Sequence, residues 1–180
     1  PTLDQIAAFE TSTGNLKSWH PMAEGLILTF ALNLDESVIY TGGWSSSIGE
    51  GVMRRKNLAK YSVATNAFDP IFAPDLSDAS SSNFILSPDE STLYIGGDFT
   101  TVNGQPRDQL AAIDAVTGSL KPFDVGGFGG TGPGVGGVGP LASSPDGSIL
   151  YVGGKFTSVG GQTRNNLAAV DAVTGNVTSF

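Results

Sequence analysis

The apolar positions of this chain fall in short runs, such as Leu93-Tyr94-Ile95, Leu110-Ala111-Ala112-Ile113, Ile149-Leu150-Tyr151-Val152 and Leu167-Ala168-Ala169-Val170. Each run is bounded by Gly, Asn, Asp, Ser, Thr or Gln. The runs are too short for helices and show no sustained helical or heptad period. They do not alternate cleanly between apolar and polar either, which fits strands buried on both faces. Between two such runs stands Pro145-Asp146-Gly147. Proline pre-sets φ, aspartate bonds its own backbone and glycine takes positive φ, so this tripeptide predicts a turn joining antiparallel strands.

The pattern repeats. Residues 93–123 and 150–180 match at an offset of 57, with 19 of 31 positions identical. A weaker copy holds Val38-Ile39-Tyr40-Thr41-Gly42-Gly43 and Leu58-Ala59-Lys60-Tyr61, and the start of the chain carries the second half alone, Ile6-Ala7-Ala8-Phe9 through Trp19. Thr13, Thr65, Thr117 and Thr174 mark one position at spacings of 52, 52 and 57. Within the last unit the reading is a strand to Ser143, the turn, a strand over 148–154, a Gly-rich polar loop over 157–165, a strand over 166–171, the Thr174-Gly175 turn and a short fourth strand over 176–180. A sheet buried on both faces needs like neighbours, and four strands in about 50 residues match a β-propeller blade. The predicted fold is all-β: a half blade at 1–20 and full blades at 24–75, 83–124 and 138–180. The Gly pairs Gly42-Gly43, Gly96-Gly97 and Gly153-Gly154 suit close backbone approach or a bulge.

The half blade offers outer strands and the other end offers a whole blade, so the two ends do not complement each other. The expectation is a partial propeller of about 3.5 blades, completed by further blades of the same chain or by a homo-oligomeric neighbour, because open sheet edges are pairing templates. Pro1, with no methionine or signal peptide, reads as the start of a processed or excised piece.

Composition narrows the chemistry. A formal charge of −8, only nine basic residues and a pI near 4.3 speak against nucleic acid. No cysteine means no disulfide, thiolate metal site or cysteine nucleophile. No apolar run is long enough to span a membrane as a helix. Glycine, 25 of 180 residues, and a low charged fraction of 14% follow from Gly-bearing turns and buried strand faces.

The pattern LYxGGxFTxVxGxxRxxLAAxDAxTGxxxxF resembles the delta-sixty-type β-propeller repeats of bacterial secreted and surface proteins. The resemblance spans almost the whole chain, strongest in the last two units. It implies an extracellular or cell-surface propeller and no particular reaction.

Residues present in every unit are expected to hold the blade, and function is sought where units differ. Asp35, Asp89 and Asp146 read as turn formers. Asp114 with Arg107, and Asp171 with Arg164, read as strand-to-loop ion pairs. His20 is the lone histidine and sits beside Trp19, so it supports neither a two-histidine metal site nor a serine triad in any known motif. The first full unit diverges most: Trp44, Glu50, Arg54, Arg55 and Lys56 form the candidate contact site for an acidic partner or a sugar, against a solvated loop. The glycine-rich stretch 126–139 lacks the lysine and following helix of a phosphate loop and reads as a linker between blades. Asp75, Asp78 and Asn83 offer fewer oxygens than calcium takes, so no cofactor is expected, with calcium as the alternative. The leading functional expectation is a non-enzymatic module for protein interaction, adhesion or assembly. Alternatives are a carbohydrate-binding propeller using Trp44 and Trp19, and part of a hydrolase or quinone-dependent dehydrogenase with its active site in other blades.

Overall fold

A computed structural model describes residues 6–19, 23–48, 57–76, 81–130 and 137–179, with backbone alone for 23–25, 44–48 and 81–82. Three antiparallel sheets follow one another. The first contains β1 (Ala23–Leu32), β2 (Val38–Ile48) and β3 (Leu58–Ser62) in that order. The second orders β4 (Ser81–Leu86), β5 (Thr92–Gly97) and, after the short hairpin of β6 (Thr101–Val102) and β7 (Gln105–Pro106), β8 (Leu110–Asp114). Then β9 (Phe128–Gly129) leads into the third sheet, made of β10 (Val138–Ser143), β11 (Ile149–Gly154) and β14 (Leu167–Asp171). Between β11 and β14 lies a second short hairpin, β12 (Ser158–Val159) with β13 (Gln162–Thr163).

The anticipated fourth strand is reduced to one bridge per sheet: Tyr61 with Phe68, Ile113 with Leu120 and Val170 with Val177. In the first segment Phe9 bridges Leu16 in the same way. Pro70 and Pro122 follow two of these bridges, and a residue without an N–H cannot extend the ladder. The 157–165 segment, expected as a loop, contains the β12–β13 hairpin. The glycine-rich stretch is also more than a linker. Its β9 pairs with β12, and Phe128 is buried against Phe156, ring centroids 5.2 Å apart.

The first and second sheets each contribute alternate side chains to two cores, and the third to one. In the second sheet Leu93, Ile95, Ala111 and Ile113 pack toward the first sheet, with Tyr40, Leu58 and Phe72. Tyr94, Leu110 and Ala112 from the same strands pack toward the third, with Leu150, Val152 and Val170. This two-sided burial is why the runs lack polar alternation.

The contacts between sheets repeat as well. Tyr40 donates its hydroxyl to the Ala115 carbonyl of the next sheet at 2.8 Å, and Tyr94 does the same to Ala172 at 2.8 Å. Their rings meet Phe72 and Phe123 edge-on, centroids 5.4 and 5.6 Å apart. The Asp124 N–H reaches the Thr174 carbonyl, 3.1 Å away. Gly175, at φ +84°, lies so close to Asp124 that a Cβ would fall 2.5 Å from its backbone. Gly96 leaves room for Val138 of the third sheet, which a Cβ would approach to 2.7 Å. Gly43 accommodates the backbone of Leu26 and Leu28, where the β1–β2 register shifts.

Candidate interaction surface

The turn acids are consumed locally. Asp146 accepts the Ser144 hydroxyl at 2.6 Å and the Ser148 N–H at 3.1 Å. Asp89 makes the equivalent bonds to Ser87 and Ser91, and Asp35 to Asn33 and the Ser37 N–H. Hydrogen bonds to the ionised form lower all three pKa values, and the Ser144 hydroxyl leads in taking Asp146 to about 2. The third turn position has φ +72° at Gly147, whereas Glu36 and Glu90 hold φ of 57° and 59° there.

The expected Asp–Arg pairs are not made. Asp114 accepts the N–H groups of Thr117 and Val116 at 2.8 and 3.1 Å, and Asp171 treats Thr174 and Val173 identically. Those N–H donors lie two and three residues away, so the turn captures the carboxylate first. Arg107 instead donates Nε to the Phe123 carbonyl at 3.0 Å and Nη2 to that of Lys121 at 3.3 Å, with Asp124 3.5 Å from Nη1. Arg164 places Nη2 on the Thr178 carbonyl at 3.0 Å. The planar fork thus satisfies carbonyls of the outer segment, whose ladder is so short.

Of the divergent contact set, Glu50, Arg54, Arg55 and Lys56 lie outside the described residues, as do His20 and Asp78. Trp44 is described by its backbone, which pairs with Leu26. Trp19 packs with Ile6, Val63 and Phe68 against Ile39, Ala59 and Tyr61. The Asp75 N–H is bonded to the Asn103 side chain at 2.8 Å. Among the described residues, no three His, Asp or Glu side chains converge as metal ligands would.

A different feature sets the first sheet apart. Along β1, Leu26, Leu28, Phe30 and Leu32 are 50%, 47%, 58% and 45% exposed. Phe30 and Leu32 pair with Thr41 and Ile39 and share a face with them, whereas Leu26 pairs with Trp44 beyond a register shift between Ile27 and Thr29. Phe30 stands five residues before its turn aspartate, as do Phe84 and Leu141. Phe84 is 3% exposed in the core shared with the first sheet, and Leu141 is 9% exposed in the core shared with the second. The preceding sheet covers Phe84 and Leu141, whereas among the described residues Phe30 has only the outer segment 6–19 on that side. Next to it, the buried Trp19 Nε1, Thr41 Oγ1 and Tyr61 hydroxyl find no hydrogen-bond partner among the described residues. Burial raises the Tyr61 pKa to about 12. The sequence signal was available in the alternation Leu26, Leu28, Phe30, Leu32, Leu34, but the repeat made it look like any other inner strand.

Residues 144–168 match a family model described as a domain of unknown function (DUF5122) beta-propeller. No curated protein matches the sequence. A putative 6-phosphogluconolactonase from Bacteroides uniformis ATCC 8492 aligns in structure with a TM-score of 0.54 and 14% identity, over 97% of this chain and 49% of that one. A second putative 6-phosphogluconolactonase, from Bacteroides fragilis NCTC 9343, aligns with a TM-score of 0.44 and 20% identity, over 83% of this chain and 36% of that one. The chain therefore spans about half the length of the first of these structures. Repeating antiparallel sheets, the family-model match and the first of these structural likenesses establish that the chain is all-β and built of β-propeller blades.

Proposed function

We propose that the chain is a non-enzymatic propeller module of the delta-sixty type that works through protein contacts, in assembly or adhesion at or outside the cell surface. The observation that carries this is Phe30 of β1, 58% exposed where the equivalent Phe84 and Leu141 of the other two blades are buried. Leu32, on the same face and 45% exposed, extends the apolar surface, and such a surface marks an interaction site. The described polar groups support the same reading. The turn acids serve their own backbone, and four cations are committed: Arg107 and Arg164 to carbonyls, Lys60 to Asp69 at 3.0 Å, Lys121 to Ser91 and Thr92.

Sedimentation of the chain across a concentration series tests it. Association is expected, weakened at least tenfold by Phe30→Asp with the circular-dichroism spectrum retained. Equal behaviour of the two proteins would end the reading. The lactonase named for the structural neighbours supplies the enzymatic alternative. On the non-enzymatic reading, hydrolysis of 6-phosphogluconolactone is expected to stay at the spontaneous rate. A catalysed rate would reverse the assignment. Binding of a glycan that is lost with Trp44→Ala would favour the carbohydrate reading instead.

A further inference from the structure

The clefts between successive blades are built alike, and a few side chains set them apart. Between the first and second blades the chain fills its own cleft. Lys60, opposite Tyr40 in the ladder, places its ammonium 3.0 Å from Asp69 and 6.0 Å from the centroids of the Tyr40 and Phe72 rings. The two strand turns are bridged as well, because the Glu90 carboxylate accepts the Leu34 N–H. Between the second and third blades each of these side chains is different. Ala112 holds the place of Lys60, opposite Tyr94. Lys121 holds that of Asp69, since its N–H bonds the Ala112 carbonyl as the Asp69 N–H bonds that of Lys60. Pro88, which has no N–H, stands for Leu34, and Gly147 stands for Glu90. A Cβ at Gly147 would lie 3.4 Å from the Pro88 ring, so a side chain there would close on the neighbouring turn. With filler and bridge both gone, a cavity of about 540 Å3 lies between these two blades, reaching Tyr94 and Phe123.

The walls carry charges of both signs. Asp89 comes from the turn of the second blade, Asp146 from that of the third, and Lys121 from the outer segment of the second. The Ser87 and Ser144 hydroxyls lead in holding the two carboxylates ionised. Oδ2 of each carboxylate has only a shared hydroxyl, Ser91 at 2.9 Å and Ser148 at 3.0 Å, which leaves it able to accept again. The Lys121 ammonium gives one hydrogen to the Ser91 carbonyl at 3.0 Å and one to the Thr92 hydroxyl at 2.6 Å, which leaves the third to donate. Pro88 and the exposed Val173 supply an apolar rim. A cationic guest would meet Lys121, and an anionic one would meet two carboxylates. Hydroxyl groups suit both, because each donates and accepts. The volume falls within the range of small-molecule sites.

We propose that this cleft binds an uncharged saccharide, whose hydroxyls donate to Asp89 and Asp146 and accept from Lys121, with a C–H face against Pro88 and Val173. The site goes beyond the protein-contact reading and is independent of both Phe30 and Trp44, which belong to the first blade.

Saturation-transfer NMR on the full 180-residue chain tests it. The panel holds the methyl glycosides of glucose, galactose, mannose and N-acetylglucosamine, with maltose, cellobiose, lactose and chitobiose. Glucosamine and glucuronate are the cationic and anionic comparators. Saturable binding of at least one neutral sugar is expected, with amide shifts centred on Ser91, Gly147 and Val173. Two variants refill the cleft with arrangements the protein already carries. Ala112→Lys with Lys121→Asp transplants the Lys60–Asp69 pair, and Gly147→Glu restores the side chain of Glu90. Each should weaken binding at least tenfold with the circular-dichroism spectrum retained. Asp146→Asn should weaken it severalfold, and Trp44→Ala should leave it unchanged. Should a refilled variant fail to fold, the amide shifts and Asp146→Asn decide. The proposal is overturned if no neutral sugar binds, if the shifts lie elsewhere, or if the refilled variants bind undiminished. Loss of binding with Trp44→Ala, or tighter binding of either charged sugar, overturns it too. Phe30-dependent association is read separately by sedimentation, so either reading can fail without the other.

Discussion

At the scale of single residues, the recurring acids act as backbone caps, and their cost and benefit can be measured. Asp35, Asp89, Asp114, Asp146 and Asp171 all have folded pKa values below the usual 3.8 because N–H and hydroxyl donors hold the ionised form. A depressed folded pKa contributes stability above the unfolded value and loses it as pH falls through the folded one. Thermal stability should therefore hold above pH 4 and decline from there toward pH 2, the folded value of Asp146. A scan of melting temperature against pH checks this, and a flat profile would contradict it. The tyrosines set the opposite limit. Burial first, then the charges of Glu90, Asp69 and Asp114, take Tyr40 to about 12. A raised pKa gives stability that is lost as pH climbs from the unfolded value of 10 through the folded one, so alkaline destabilisation should set in between pH 10 and 12. Glu36 holds φ 57° where the third blade has Gly147. An L side chain in that region costs about 1–2 kcal/mol, and glycine returns part of it as unfolded-state entropy. Glu36→Gly should raise stability by up to about 1 kcal/mol in urea unfolding.

At the scale of elements, the blades are held by repeated latches rather than by the strand ladders alone. Removing the Tyr94 hydroxyl leaves the buried Ala172 carbonyl without its donor. Tyr94→Phe should cost about 1–2 kcal/mol in equilibrium unfolding. Gly175→Ala should cost at least as much, because it adds a Cβ at φ +84° against the Asp124 backbone. Arg107 and Arg164 are legible in the sequence as repeated, structural residues, but their partners are not. A local pattern suggests the oppositely charged side chain of the same unit. The fold instead gives each aspartate to its own turn and each guanidinium to carbonyls 14 to 16 residues later in the chain. Turn chemistry is short-range and readable, whereas carbonyls left over at a sheet margin are known only once the sheet stops.

For the whole molecule, the second blade is covered on both sides and the first on one side only in part. Amides of β5 and β8 should therefore exchange slowest, and those of β1 much faster, in hydrogen-exchange measurements. Uniform protection across the three blades would show that the β1 face is covered in solution. Phe84→Ala, which empties a fully packed position between blades, should cost about 3–5 kcal/mol, whereas Phe30→Ala at the equivalent position should cost far less.

The repeat, the turns, the all-β class and the two-sided burial of the strands were all determined by the sequence, because each arises from chain neighbours or from a fixed period. The divergent stretch around Arg54–Lys56 drew attention in the sequence because charge and aromatic residues stand out against a regular background. Only the tertiary structure decided that Phe84 is covered and Phe30 is not, since both occupy one position of one pattern. Burial depends on which sheet stands next in space, and the pattern within a unit is the same whether or not that neighbour's inner strands are there.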